Sequence, residues 1–552
     1  MKAGLALFTT ALALAQDAGV RPVPQRDLPA QTGNASVAGA VLDSVTHSPI
    51  RKASVMLSGR TSLRAVTGDD GHFVFRQLPA GPYTIQAQAE KYPNPGQGTF
   101  DTANQVSVSL RGEEQKTDVS LSLTPGASLR GRIVDEEGDP MSQCFVTATR
   151  LRNTDTGKTF ADAGSNQSDD KGEYRLENLA AGKYNVVARC FANIPMPHAF
   201  IRRDAMAVVP TLTYPPLFYP ASASLSGATR VTLSAGTDLT GIDFHMAPTA
   251  GVPVRGRVQP IVTDANLQVS LRPKDPLLRR FQQQGARLNR ATGEFQLPSV
   301  PPGSYDLIAT TRGDRMLTAR VPVDVGATAP EPIDLHLVPE AQITGSIAID
   351  GDANISLKNL QIFLNPVDEP ITAPPPQAGV QSDGTFTTTA PPGRWRLRIN
   401  GAPGYVKSMT VGDQEISGNT FEVGSSPVSL KLVIGTKTTQ VDAAISGPPS
   451  NGNPLFALIW SLDTEFQQAV PAPPQGPPSF HLPPGKYFTC AVQVAQPFMV
   501  LLDRGLKNAL AKQCSALEVS EGTHLSVQIP FIPIDDLKRL ADNLDAGDSS
   551  GF

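Results

Sequence analysis

Histidine and cysteine are the side chains from which catalytic or metal chemistry would most readily be built in this sequence. No two histidines lie within five residues of each other, so the local spacing of a zinc site is absent. There is no Gly-x-Ser-x-Gly turn and no complete glycine-rich phosphate loop. The sequence therefore predicts no catalytic residue, no metal site, no cofactor and no enzyme. The seven histidines are His47, His72, His198, His245, His336, His481 and His524.

One acidic segment has part of the pattern of a calcium loop. Asp350, Asp352 and Asn354 place oxygen ligands at the first three ligand positions. The glycine and glutamate that such a loop needs later are replaced by Ile355 and Gln361. The segment is therefore interpreted as an acidic surface hairpin.

The four cysteines fall into two pairs along the chain. Cys144 pairs with Cys190 and Cys490 with Cys514 if the protein is exported to an oxidising compartment. The alternative is four small buried or half-buried thiols.

The first residues have the pattern of an export signal. Lys2 precedes an apolar run from Ala3 to Ala15, and Ala13-Leu14-Ala15 fits the cleavage pattern. The run is too short to span a membrane, and no later apolar run reaches the length of a span. We expect an exported protein, periplasmic or extracellular, with no transmembrane segment after cleavage. The alternative is a buried N-terminal helix.

The charge pattern bears on the class of partner. The formal net charge is −4 and no long basic run occurs, so the sequence predicts no nucleic-acid partner. Glycine and proline are abundant, with 47 and 50 copies, while apolar residues remain plentiful. This composition is typical of short strands joined by many turns.

A short phrase with a glycine two residues before an aromatic residue recurs every 90 to 121 residues. That period fits one small domain rather than a solenoid repeat. The five copies are Leu78–Tyr83, Leu179–Tyr184, Val300–Tyr305, Ala390–Trp395 and Leu482–Tyr487.

Alternation of apolar and polar residues around each phrase predicts about seven short strands per repeat. Ala53, Val55 and Leu57 share one face of a strand, and Tyr83 and Ile85 share one face of another. The fold class is therefore all-β, a tandem array of about five small antiparallel β-sandwich domains. One short helical insertion and a C-terminal helix are also expected.

The predicted domains are separated by very short linkers, so we expect a semi-rigid rod on the order of 150 Å long. The five domains are called units 1 to 5 below. The boundaries are 1–15 for the signal peptide, 16–34 for a linker, 35–124 for unit 1, 125–248 for unit 2, 249–339 for unit 3, 340–435 for unit 4, 436–533 for unit 5 and 534–552 for a C-terminal tail.

Two segments depart from the repeat. Unit 2 has a long loop over about 192–240 that carries Tyr214, Phe218 and Tyr219 between prolines. Exposed aromatic rings on a loop could stack on sugar rings, which makes these three residues the candidate ligand-binding site. The alternative is that they close the end of the sandwich core or pack against unit 3.

The second departure lies in unit 5, where we predict a helix over 498–512. Met499, Leu502, Leu506 and Leu510 are near helical spacing. The tail over 534–543 is also amphipathic and is expected to lie against unit 5.

The repeat resembles the carboxypeptidase regulatory-like domain, a transthyretin-like, seven-stranded β-sandwich. The resemblance rests on an opening "V-x-G-x-V", a turn "D-x-G-x-F" and the phrase "L-P-x-G-x-Y". Unit 1 carries them as Val37–Val41, Asp70–Phe73 and Leu78–Tyr83, and unit 5 fits least well. The chain as a whole looks like a secreted bacterial multidomain protein.

The resemblance implies domains that space or present other parts and have no catalytic residues of their own. The same structural class includes carbohydrate-binding modules. We therefore expect a non-catalytic exported scaffold or interaction protein, with a protein or polysaccharide as partner. The alternative is a carbohydrate-binding protein of the cell envelope that uses the Tyr214–Tyr219 loop.

Overall fold

The chain is an all-β protein with a small helical part, as the sequence predicts. The computed structural model describes residues 33–93, 104–154, 157–190, 212–262, 266–311, 316–351, 357–367, 375–402, 404–447, 455–462, 464, 466–473, 476–494 and 496–547. The predicted signal peptide and nearly all of the following linker lie outside these residues. The exact domain borders stay predictions.

Unit 1 is a sandwich of two sheets around one apolar core. One sheet has the strand order β4-β1-β7 and the other β3-β2-β5-β6. Alternate residues of each strand point inward because side chains alternate across a sheet. Its strands are Ala35–Asp43 (β1), Ser54–Gly59 (β2), Leu63–Val66 (β3), His72–Leu78 (β4), Gly81–Gln88 (β5), Gln105–Leu110 (β6) and Gln115–Leu123 (β7).

Unit 2 repeats the two sheets with the orders β11-β8-β16 and β10-β9-β12-β14. A short 3-10 helix, Leu225–Gly227, lies in its long loop. Its strands are Ala127–Val134 (β8), Phe145–Thr154 (β9), Gly157–Gln167 (β10), Glu173–Leu179 (β11), Gly182–Arg189 (β12), Leu212–Thr213 (β13), Leu217–Phe218 (β14), Val231–Leu233 (β15), Asp238–Leu239 (β16) and Phe244–His245 (β17).

Unit 3 has the sheets β22-β23-β19-β26 and β21-β20-β24-β25-β27. Its first strand pairs with β13 of unit 2. Its strands are Thr249–Ala250 (β18), Val252–Gln259 (β19), Gln268–Pro273 (β20), Gln284–Gly285 (β21), Arg287–Leu288 (β22), Glu294–Val300 (β23), Gly303–Thr310 (β24), Leu317–Val325 (β25), Ile333–His336 (β26) and Val338–Pro339 (β27).

Unit 4 has the sheets β31-β28-β36-β33-β34 and β30-β29-β32-β35, with a short 3-10 helix at Leu357–Asn359. Its strands are Ala341–Asp350 (β28), Gln361–Pro366 (β29), Gln377–Gly379 (β30), Thr385–Ala390 (β31), Gly393–Asn400 (β32), Tyr405–Val411 (β33), Gln414–Ile416 (β34), Thr420–Val423 (β35) and Val428–Gly435 (β36).

Unit 5 differs, because its strands join into one sheet with the order β39-β38-β41-β43-β37-β40. The link is a parallel pairing of β41 with β43. Its elements are Thr439–Ser446 (β37), Phe456–Trp460 (β38), Gln467–Pro471 (β39), Ser479–Leu482 (β40), Gly485–Val492 (β41), Pro497–Leu502 (α1), Arg504–Leu510 (α2), Ser515–Val519 (β42), His524–Ile532 (β43) and Ile534–Gly547 (α3).

The recurring phrase forms the same corner in all five units. The polar tip of the aromatic side chain donates a hydrogen bond to the carbonyl four residues earlier, so a buried hydroxyl or indole N–H is satisfied. In four units the glycine has a positive φ of 147° to 154°, a conformation that favours glycine. The bonds are Tyr83 to Pro79 (2.9 Å), Tyr184 to Ala180, Tyr305 to Pro301 (2.9 Å), Trp395 to Pro391 (2.9 Å) and Tyr487 to Pro483 (3.0 Å).

The glycine of the opening strand permits a close approach of the closing strand. The opening and closing strands pair in parallel in every unit, as β1 does with β7. A Cβ atom on Gly39 would lie 2.0 Å from the Val119 carbonyl oxygen, and one on Gly131 would lie 1.8 Å from that of Ile242. This parallel pair is the one regular exception to the antiparallel pairing that the sequence predicts.

The units do not form the simple rod that the linkers predict. Helix α2 of unit 5 contacts β9 of unit 2, and Arg152 of β9 lies 3.9 Å from the sulfur of Met499. Units 2 and 5 would lie far apart in a linear array. The expectation of an extended rod is therefore wrong for this part of the chain, since packing between non-consecutive units overrides the short linkers.

Candidate functional site

The titratable groups of the described residues do not assemble into a recognisable catalytic centre. No group of three or more His, Cys, Asp or Glu side chains is placed to hold a metal ion within the described ranges. Most of the calcium-like segment, residues 352–356, lies outside those ranges. Asp350, at its start, pairs with Lys407, which lowers the pKa of the Asp350 carboxyl.

Among the described residues, the arrangement most similar to a catalytic one is a group of three side chains on unit 5. His524 Nε2 lies 2.8 Å from Asp442 Oδ2, and hydrogen bonds from Ser479 and His524 lower the pKa of Asp442. The carboxylate therefore lies between the hydroxyl and the imidazole. A nucleophilic serine needs the imidazole in that middle position, so this order does not activate Ser479.

Phe218, one of the three candidate ligand residues, is fully buried. Its ring centroid lies 5.9 Å from that of Phe160 in unit 2 and 6.4 Å from that of Phe281 in unit 3. Phe218 therefore packs at the contact with unit 3 and offers no exposed face to a ligand. This is the alternative that the sequence left open.

Tyr214 and Tyr219 are half-buried against the core of unit 2. The Tyr219 ring lies 6.0 Å from the ring of Phe244. Burial raises the pKa of Tyr214, with smaller contributions from the acidic residues of 135–137. Binding of a ligand by this pair stays a prediction.

The junction of units 2 and 3 combines an apolar cluster with polar contacts. Phe281 of unit 3 packs on Phe160 and Phe218, and its carbonyl accepts a hydrogen bond from Arg189 at 3.5 Å. The neighbouring Arg280 forms an ion pair with Asp162 of β10. An apolar centre with charged groups at its margin is typical of a stable interface.

The helical insertion of unit 5 is broken into two helices. Asp503 ends α1 and caps α2, where its carboxylate accepts the N–H of Leu506 at 3.0 Å. The break changes which side chains face the core. Val500 and Leu501 are buried beside Leu506 and Leu510, whereas Leu502 is 51% exposed, which corrects the predicted apolar face.

Helix α1 thereby faces three neighbours. Val500 and Leu501 cover the core of unit 5, and Met499 contacts Arg152 of unit 2. Burial lowers the pKa of Arg152, and the charge of Asp503 opposes that shift. Phe498, which is 55% exposed, points to unit 4.

A cavity of about 410 Å³ lies between units 4 and 5. Its lining includes Leu397, Ile399, Val406 and Asn419 of unit 4 with Gln467 and Phe498 of unit 5. Sequence patterns missed this cavity because its walls come from segments about 70 to 100 positions apart. The one local signal was the helical insertion, which places Phe498 outside the repeat.

The two predicted cysteine pairs are disulfides in this structure. Cys144–Cys190 joins the ends of β9 and β12 within unit 2. Cys490–Cys514 ties β41 to the segment after α2, so it holds the helical insertion on unit 5. No helix of the described residues has the length and apolar character needed to cross a bilayer.

Unit 1 is similar to a known protein family. The family model of the carboxypeptidase regulatory-like domain matches residues 36–122. Carboxypeptidase D of Drosophila melanogaster is 37% identical over 73 residues, which are 13% of this chain and 5% of that protein. The resemblance drawn from the sequence motifs is thereby confirmed as a similarity at the level of the domain.

Solved structures with some similarity include two pilins and a protein of Bacillus anthracis. The Bacillus anthracis TIE protein is 12% identical, with 71% of this chain and 68% of that chain covered and a TM-score of 0.15. The minor pilin GBS52 of Streptococcus agalactiae is 13% identical, with 39% and 96% covered and a TM-score of 0.21. The shaft pilin SpaA of Lactobacillus rhamnosus GG is 12% identical, with 40% and 98% covered and a TM-score of 0.23. At these TM-scores the similarity carries no functional information.

Proposed function

We propose that this chain is a non-catalytic, exported scaffold that holds unit 1 out for interaction with a protein partner. The observation that carries this proposal is the packing of unit 2 against both unit 3 and unit 5. Phe218 and Phe281 join units 2 and 3, and Arg152 and Met499 join units 2 and 5. A chain locked in this way suits a rigid support better than a set of independently moving binding modules.

Unit 1 supplies the surface that such a support would present. Met56 on the outer face of β2 is 51% exposed, and Val66 on the edge strand β3 is 61% exposed. Val45, Leu63 and Val74 of the same unit are also exposed. Exposed apolar side chains and strands at the edge of a sheet are features by which proteins recognise one another.

The test is chemical cross-linking in the native cells, with the full chain carrying Met56→Glu and Val66→Glu together. We expect a cross-linked protein partner with the natural chain and its loss with this double variant. Met316→Glu is the matched control, because Met316 is a comparably exposed residue of unit 3. A partner that persists with the double variant, or a hydrolytic activity of the purified chain, contradicts the proposal.

Export is part of the proposal and is supported by the two disulfides, which form and persist in oxidising compartments. We expect that alkylation of the unfolded protein without prior reduction modifies no cysteine. Four reactive thiols in protein taken directly from cells would place it in a reducing compartment. Separation of the periplasm from the medium distinguishes the two exported locations.

Carbohydrate binding through the Tyr214–Tyr219 loop is the second candidate. It rests on the two half-buried tyrosines, because Phe218 has no exposed face. A polysaccharide pull-down with Tyr214→Ala and Tyr219→Ala tests it. Unchanged retention of both variants, or no retention of the natural chain, excludes this loop.

A further inference from the structure

The lining of the cavity between units 4 and 5 includes buried aliphatic residues and one partly exposed aromatic ring. Leu397 and Ile434, two of its lining residues, are 1% and 0% exposed. Phe498 lines the cavity and is 55% exposed, so part of its ring remains accessible. The volume of about 410 Å³ lies within the usual range of small-ligand pockets.

The polar residues of the lining are mostly carboxamides. Asn400, Asn419 and Gln467 bring three carboxamides to the lining, and Arg398 adds a guanidinium. Neighbouring groups hold two of the amides in place. Asn419 Nδ2 donates to the Leu397 carbonyl at 3.1 Å, and Gln467 Oε1 accepts from Lys507 Nζ at 3.2 Å.

This combination selects among ligand classes. A carboxamide donates and accepts hydrogen bonds from one group, which matches hydroxyl groups that do the same. An aromatic face next to these amides suits the C–H face of a sugar ring. An aliphatic chain would offer no partner to the remaining donors and acceptors of these amides, and a polyanion would need more than the one cation among the lining residues.

We propose that the cavity between units 4 and 5 binds an oligosaccharide, with one sugar ring stacked on Phe498 and its hydroxyls bonded to Asn400, Asn419 and Gln467. The site needs both units, since Phe498 and Gln467 come from unit 5 and the asparagines from unit 4. It is separate from the Tyr214–Tyr219 loop and from the apolar surface of unit 1. An experiment that disproves this sugar site would therefore leave the proposed scaffold function untouched, and the reverse also holds.

The test is calorimetric titration of the full chain with three defined neutral tetrasaccharides, of β-1,4-linked glucose, β-1,4-linked N-acetylglucosamine and β-1,4-linked mannose. We expect at least one to bind. Phe498→Ala weakens its binding about tenfold or more, as truncation of a central aromatic contact does. Asn400→Ala weakens it several-fold.

The control is Leu502→Ala, which removes a side chain of similar exposure from the same helix but outside the cavity lining. We expect it to leave the affinity within about twofold. Because Phe498 and Asn400 are both exposed, their variants should remain folded, which hydrogen exchange of units 4 and 5 verifies. Absence of binding by all three sugars, or equal losses with Phe498→Ala and Leu502→Ala, overturns the proposal. Binding of apolar peptides instead of sugars at the same residues also overturns it.

Discussion

Units 1 and 5 share the hydrogen-bonded Gly-x-aromatic corner but differ in what covers the outer face of one sheet. In unit 1 the outer face of β2 carries the half-buried Ser54 and the exposed Met56 and Ser58. In unit 5 the corresponding face of β38 carries Leu458 and Trp460, which are both fully buried. Helices α1, α2 and α3 cover that face, so unit 5 has a second apolar cluster outside its sandwich core.

The difference shows what the repeated motif specifies and what it leaves open. Both units keep the corner hydrogen bond, from Tyr83 and from Tyr487. Unit 5 has Ala443 where unit 1 has the opening-strand Gly39, and its strands join into a single sheet. The corner motif thus determines the position of the core strand that follows it. It does not determine the outer face of the sheet, which in unit 5 is covered by helices that also contact unit 2.

The largest difference in stability between the two units is expected when Trp460→Ala in unit 5 is compared with Met56→Ala in unit 1. Loss of the buried indole should cost about 3–5 kcal/mol of unit 5 stability, whereas loss of the exposed Met56 side chain should cost less than about 0.5 kcal/mol. Hydrogen exchange resolved by unit measures both. Similar small effects would mean that the helical layer does not bury Trp460 in solution.

The next largest loss of stability is expected on removal of the disulfide that holds the helical insertion on unit 5. Cys490→Ala with Cys514→Ala opens a 24-residue loop, which should cost about 3 kcal/mol. We expect the loss in unit 5 alone, with faster exchange in α1 and α2. Cys144→Ala with Cys190→Ala is the matched pair, and its effect should stay in unit 2. A loss spread evenly over all units would contradict this localisation.

A smaller effect is expected at the break between α1 and α2. Asp503→Ala removes the cap of α2 and should cost about 1 kcal/mol, measured by the urea dependence of α2 exchange. Asp503→Asn keeps a capping oxygen but removes the charge near Arg152. Restored stability with the Asn variant assigns the effect to capping, and an equal loss with both variants assigns it to the contact with unit 2.

The corner bond should contribute equally in the two units. Tyr83→Phe and Tyr487→Phe each remove one buried hydrogen bond and should each cost about 1 kcal/mol at pH 7. Burial raises the pKa of Tyr487 to about 12, above the ordinary value of 10. A raised pKa favours the protonated phenol in the folded state, so its contribution is complete below pH 10 and is lost between pH 10 and 12.

The difference between the natural chain and Tyr487→Phe should therefore shrink above pH 10. Urea unfolding at pH 7 and pH 11 measures this change. A difference that is the same at both pH values would contradict the burial of the Tyr487 hydroxyl.

Local patterns were enough to predict the features that repeat. The corner phrase placed Tyr83 and its counterparts, and strand alternation placed Val55 and Leu57 inward. The cysteine pairs and the amphipathic tail that became α3 were also visible, because each is a pattern within one unit. The helical insertion was predicted as a single helix, since apolar spacing alone did not reveal that Asp503 caps a second one.

Contacts between units could not be predicted in this way. The sequence left open whether Phe218 binds a ligand or packs against unit 3, and only the structure shows that its ring lies 6.4 Å from that of Phe281. The contact of Met499 with Arg152 joins positions 347 residues apart, and no periodicity within one unit reports on it. The cavity beside Phe498 depends on the same packing.

The contact between units 2 and 5 is tested most directly by a distance between two spin labels. Thr159→Cys lies opposite Arg152 on β10, and Asn508→Cys lies on α2; both positions are exposed, and the four natural cysteines are paired. We predict a label separation within roughly 35 Å, about the span of one unit. A separation of roughly 100 Å, as three further units in line would give, would contradict the folded-back arrangement.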